Sequence, residues 1–140
     1  PNKDVSVEAE SNTGIVVERS MYWNNGTGKA GHCEIGVPQP RQQCFLAEGS
    51  TDWGFDEWVL IQNPNDTECN IGIDYMTEQG LIPTTGFSMP ANSRMTVHVN
   101  SQVPYLDTST KVYSNLPIMV ERAMYWNNRG AGHVSFGLNK

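Results

Sequence analysis

The feature that most limits what this chain can fold into is a stretch that occurs twice. Ile15-Val-Val-Glu-Arg-Ser-Met-Tyr-Trp-Asn-Asn25 returns as Ile118-Met-Val-Glu-Arg-Ala-Met-Tyr-Trp-Asn-Asn128, with nine of eleven positions identical. Self-similarity of that length points to a duplicated structural unit. The match continues on both sides. Asp4 to Asn12 aligns with Asp107 to Asn115, and Gly31-His-Cys-Glu-Ile-Gly36 aligns with Gly132-His-Val-Ser-Phe-Gly137. The offset is 103 residues before the Asn-Asn pair and 101 after it, so the copies differ by two residues in the loop between.

Within the first copy, Val5, Val7 and Ala9 alternate with Ser6, Glu8 and Glu10, the period of a half-buried strand. Ser11 to Gly14 then reads as a turn, and Asn115-Leu-Pro117 as its counterpart. Ile15 to Trp23 is a long strand, β-branched at its start and aromatic at its end. Asn24-Asn-Gly26 signals a hairpin because Asn and Gly tolerate positive φ, and residues 32–37 return. Val37 to Gln43 carries two prolines and reads as a linker or edge segment. Further strands are expected at Cys44–Ala47, Trp58–Gln62, Cys69–Tyr75, Ile82–Met89 and Met95–Val99. No window has the apolar spacing of a helix. The expected fold is all-β: an antiparallel β-sandwich, immunoglobulin-like in layout, with a duplicated strand-hairpin segment.

Two divisions of the chain compete. In the first, residues 1–140 form a single β-sandwich domain in which 4–37 and 107–138 are internal repeats packed about a pseudo-twofold axis. In the second, 1–40 is the tail of a preceding repeat and 41–140 one complete unit. The first is preferred, because an isolated hairpin is marginal in water and its edges invite pairing.

The strings Phe45-Leu-Ala-Glu-Gly49, Gly54-Phe-Asp-Glu-Trp-Val-Leu-Ile-Gln-Asn-Pro64, Met89-Pro-Ala-Asn-Ser-Arg94 and Ile118 to Trp126 with Gly132-His133 cover nearly all of residues 41–140. Together they resemble an uncharacterised tandem-repeat β-rich domain of bacterial secreted and cell-surface proteins. That resemblance implies an extracellular module of unknown function and supplies no catalytic residue set.

Nine Lys and Arg against fifteen Asp and Glu give a net charge of −6, and the cations are scattered singly. Binding to nucleic acid requires clustered cations, so it is not expected. No run approaches the ~18 apolar residues of a membrane span, so membrane insertion is not expected either. Cys33, Cys44 and Cys69 lack zinc-site spacing. One disulfide, Cys33–Cys44 or Cys44–Cys69, and an oxidising compartment are expected.

The charged positions of the duplicated strand suggest structural pairing. Neighbours in a strand point to opposite faces, so Glu18 would meet Arg122 and Arg19 would meet Glu121 across the pseudo-axis. His32 and His133 are read as structural imidazoles at the hairpins. Glu48, Asp52, Asp56 and Glu57 crowd one loop and offer hard oxygen ligands for calcium, the one candidate cofactor, although without the spacing of a known calcium loop. Trp53, Phe55 and Trp58 beside them could stack on sugar rings. The functional expectation is a non-enzymatic structural or adhesive module, extracellular or at the cell surface, part of a surface protein or self-assembling fibre. Its partner would be another protein, itself, or a surface glycan. The alternative is a carbohydrate- or calcium-binding module using the 48–58 loop.

Overall fold

The computed structural model describes residues 3–24, 26 and 28–139; Asn25 and Thr27, at the tip of the first expected hairpin, lie outside the described residues. The strands are β1 (Glu18–Asn24), β2 (Lys29–Ile35), β3 (Arg41–Leu46), β4 (Asp56–Asn63), β5 (Cys69–Thr77), β6 (Gly80–Pro83), β7 (Phe87–Met89), β8 (Ser93–His98), β9 (Ser109–Trp126), β10 (Ala131–Phe136) and β11 (Leu138–Asn139). Among the described residues a single 3-10 turn, Val99–Ser101, interrupts them, and every ladder is antiparallel. The molecule is an all-β antiparallel sandwich, as the period-two patterning requires.

The 18-residue strand β9 belongs to both layers. Its first half, Ser109 to Ser114, lies between β3 and β5, with β11 beyond β3 and with β6 and β7 sharing the far edge of β5. Its second half, Met119 to Trp126, lies between β4 and β10, with β8 beyond β4. The passage between layers is made at Pro117, which donates no ladder hydrogen bond, and the β3–β9 register shifts there between Arg41 and Gln43. Side-chain amides hold the irregular backbone: Asn65 donates to the Pro117 carbonyl at 2.8 Å, and Gln42 to the Asn115 carbonyl at 2.7 Å. The expected turn at Asn115–Pro117 is therefore a bulge inside a continuous strand.

The core lies between the layers. Cys44, Leu46, Ile71, Ile73, Tyr75 and Val112 meet Val59, Ile61, Ile118 and Val120, all buried. Alternation produces this: in β4, residues 57, 59, 61 and 63 are buried while 56, 58, 60 and 62 are half-buried on the outer side. Fully burying one such aliphatic side chain contributes roughly 1.5–3 kcal/mol. Asn63, a polar member of the inward set, has its amide satisfied by the carbonyls of Thr67 (2.9 Å) and Pro90 (2.8 Å).

The first copy is built differently. Among the described residues β1 and β2 pair only with each other, and residues 3–17 join no ladder. The half-buried strand expected at 4–11 is absent, since no neighbouring strand covers it. The cysteines also depart from expectation: all three are free, Cys33 exposed and Cys44 and Cys69 buried. Burial pushes the Cys44 thiol up to about 11, the behaviour of an inert core residue.

Candidate functional site

Hairpin β1–β2 rests on the outer face of the second layer. In β1, Arg19 and Trp23 are half-buried and their neighbours exposed; in β2, the half-buried residues are Ala30, His32 and Glu34. This inner face of the hairpin meets the outward residues of β9 and β10. Arg19 makes a two-pronged ion pair with Glu121, one arm at 3.0 Å from Nη1 to Oε2 and the other from Nη2 to Oε1. The Trp23 ring stands edge-on to Tyr125 and His32, with centroids 5.5 and 5.3 Å away, and its indole N–H donates to the Arg129 carbonyl. Gly132 makes room for this: a Cβ there would lie 2.7 Å from Tyr125 and 3.0 Å from Trp23. Burial, with Arg19 and His133 nearby, lowers the His32 pKa and so favours the neutral ring.

The contact is one-sided. Glu18 does not reach Arg122; it is exposed and accepts from Ser20 at 3.1 Å, while Arg122 is buried on the inner side of β9. A pseudo-twofold arrangement would bury the same patch on both copies. Here the inner face of the first hairpin covers the outer face of the second, so the reciprocal pair cannot form.

Beside this contact is a polar-aromatic cluster. His98 Nε2–H donates to Asp56 Oδ1 at 2.8 Å, the Ser101 hydroxyl lies 2.8 Å from Nδ1 of the same ring, and Arg129 Nη2 donates to Asp56 Oδ2 at 3.1 Å. The Trp58 ring stacks on His98 at 4.2 Å, and the Arg129 guanidinium lies over Trp58 and Tyr125 at 5.9 and 5.7 Å. Burial works to raise the Asp56 pKa, but the Trp58 indole N–H, Arg129 and His98 together hold it below the usual range. The imidazole presents its nitrogens in the opposite order from a hydrolytic Ser-His-Asp triad, where the carboxylate takes Nδ1. The arrangement fastens β4, β8 and the β9–β10 turn together. That turn holds Asn127, Asn128 and Arg129 successively at positive φ of 54°, 52° and 61°.

The 48–58 segment does not gather its carboxylates. Asp56 faces outward to His98 and Arg129, whereas Glu57, the next residue on the strand, is fully buried and accepts from Thr108 at 3.1 Å. Among the described residues, no three of His, Cys, Asp and Glu come together to hold a metal. Alternation along β4 separates the proposed calcium ligands. It also splits the aromatic set: Trp58 lies on the outer face, Phe55 leans on Trp126 at 5.6 Å, and Trp53 is 79% exposed.

Trp53 stands over an open depression of about 630 Å³ edged by Glu48, Phe55, Glu78, Asp107 and Met124. A smaller hollow, sharing Trp53, Glu78 and Asp107 with it, adds Asp52 and Tyr105. Trp53 and Tyr105 both sit in the left-handed region, at φ 57° and 60°, a conformation uncommon for bulky residues. Glu78, Tyr105 and Asp107 escape sequence reasoning because the β5–β6 turn and the loop before β9, far apart in sequence, bring them to Trp53.

Behind the depression, Glu57 lies against the backbone of Gly49, where a Cβ would fall 2.3 Å from Oε1. Burial pushes its carboxyl up to about 7, against the pull of Thr108 and the Arg122 charge. Burial, with some help from Glu57, pushes the Tyr75 hydroxyl up to about 12.

The sequence matches no protein-family model and no curated protein. Solved structures resemble it in fold. The crystal structure of Thermotoga maritima 1070 aligns with a TM-score of 0.65 at 13% identity, covering 72% of this chain and 96% of that one. The Anabaena sensory rhodopsin transducer aligns with a TM-score of 0.53 at 24% identity, covering 58% of this chain and 94% of that one. At these identities the likeness concerns the fold alone.

Proposed function

We propose that the protein is a non-enzymatic structural or adhesive β-sandwich module that acts by laying one sheet face on another. One observation carries this reading: hairpin β1–β2 covers the outer face of β9–β10, while the corresponding outer face of the hairpin is bare, with Tyr22 84% exposed where Tyr125 is covered. A surface that is filled in one copy and open in the other suits association between chains, with the open face taking a neighbour's surface. Placement outside the cell, in a surface protein or fibre, is supported by the sequence resemblance; the three free thiols add nothing to it. Light scattering and negative-stain microscopy of the intact chain test the reading. Association that rises with concentration is expected, and a monomer at the highest attainable concentration would remove it.

A second reading, carbohydrate binding, is favoured by the exposed Trp53 and Tyr105 around the acidic hollow. Sugar rings stack on such aromatics while carboxylates accept from their hydroxyls. Glycan-array screening of the wild type and Trp53→Ala tests it; hits that survive the substitution would assign the binding elsewhere.

A further inference from the structure

In the second copy, Ile118, Val120, Arg122, Met124 and Trp126 point inward from β9 onto the sandwich interior. Their counterparts in the first copy are Ile15, Val17, Arg19, Met21 and Trp23, the same five residue types. Yet Ile15 is 52% exposed, Val17 39% and Met21 42%, against 0%, 2% and 9% for Ile118, Val120 and Met124. On β10, Ala131 and His133 likewise repeat Ala30 and His32. The first copy thus carries the inward pattern of a central strand without the strands that a central strand needs. Across residues 4–24, three of the four neighbours of β9 have no equivalent: β2 stands for β10, but nothing stands for β3, β4 or β5.

We infer that residues 4–36 are a second strand pair able to fill the β3–β8 acceptor of another copy of this chain, in place of that copy's residues 107–137. Shape and charge both fit. Ile15 and Val17 would take the slots of Ile118 and Val120, and Arg19 would supply the cation that Arg122 holds near the buried Glu57. The acceptor belongs to a second copy because the chain's own is too close. Leu138 pairs with Phe45 beside β3, so Val37 would take that place. The few residues from Val37 to β3, with Pro38 and Pro40 among them, would then have to reverse sharply and pull Arg41 from its ladder with Ile118. The resident pair normally prevails, since Ala9 and Thr13 replace Val112 and Leu116 with less apolar bulk.

Exchange of this kind is separable from wild-type association through the hairpin face, because it is read in a variant whose own β9 cannot seat. Three full-length proteins suffice: Ile118→Asp, Ile15→Asp, and the double substitution. Each is followed by size-exclusion light scattering and urea unfolding. Ile118→Asp is expected to stay folded, with cooperative unfolding, as a dimer or larger species. Ile15→Asp should match the wild type in mass and unfolding, and the double variant should be unfolded. If Ile118→Asp is as unfolded as the double variant, or folds as a monomer, the inference fails. It fails also if the double variant forms the same oligomers, which would mean unspecific aggregation.

Discussion

Replacing Glu57 by Gln turns a buried carboxyl into a measurable pH dependence. In the folded chain burial raises this carboxyl from 4.5 to about 7. The folded state therefore keeps a proton that the unfolded chain gives up between those values. Stability contributed by the protonated group is full below 4.5, falls as pH rises to 7, and levels above it. The difference corresponds to roughly 3 kcal/mol, at about 1.4 kcal/mol per tenfold change in proton affinity. Gln keeps the size of the side chain and an acceptor for the Thr108 hydroxyl, and it has no proton to lose. Glu57→Gln should thus match the wild type near pH 5 within about 1 kcal/mol and exceed it at pH 8 by up to ~3 kcal/mol. Urea unfolding at a series of pH values, followed by tryptophan fluorescence, supplies both curves. His32 acts in the opposite sense, because its lowered pKa makes stability rise with pH below 6.5; subtracting the two proteins' curves cancels it. Parallel curves for the two proteins would refute the reasoning.

Two further outcomes are expected. Arg19→Glu or Glu121→Arg alone should undock hairpin β1–β2 at a cost of about 1–3 kcal/mol, since each breaks a two-pronged charge-assisted contact and sets like charges together. The double reversal should restore it, with hydrogen exchange of β2 amides as the readout and β9 unchanged throughout. Among the thiols, Cys33 alone should react rapidly with a thiol reagent in the native protein, giving one equivalent per chain, and Cys44 and Cys69 should react only on unfolding.

Within 41–140 most strands were legible because their alternation is local: Trp58 to Gln62 and Cys69 to Tyr75 need no knowledge of the rest of the chain to be read as half-buried ladders. The same rule misled at residues 4–11, where the period is present but the covering strands are not. It also missed that β9 runs through Pro117, since a proline reads as a break unless a layer crossing absorbs it. At the candidate site, the Arg19–Glu121 contact was accessible from the repeated Glu-Arg pair, but its reciprocal was not excluded, because the sequence does not say which faces meet.

By itself the sequence determined the chemistry of each face: the period of two, the duplication, the absence of helix and the absence of a cationic patch all follow from residue types and spacing. Only the tertiary structure decided how equivalent residues are used. Arg122 is buried near Glu57 whereas Arg19 reaches Glu121, and Ile118 is core whereas Ile15 lies open. Identical strands acquire different environments because burial is a property of neighbours, and β3, β4 and β5 stand beside one copy alone.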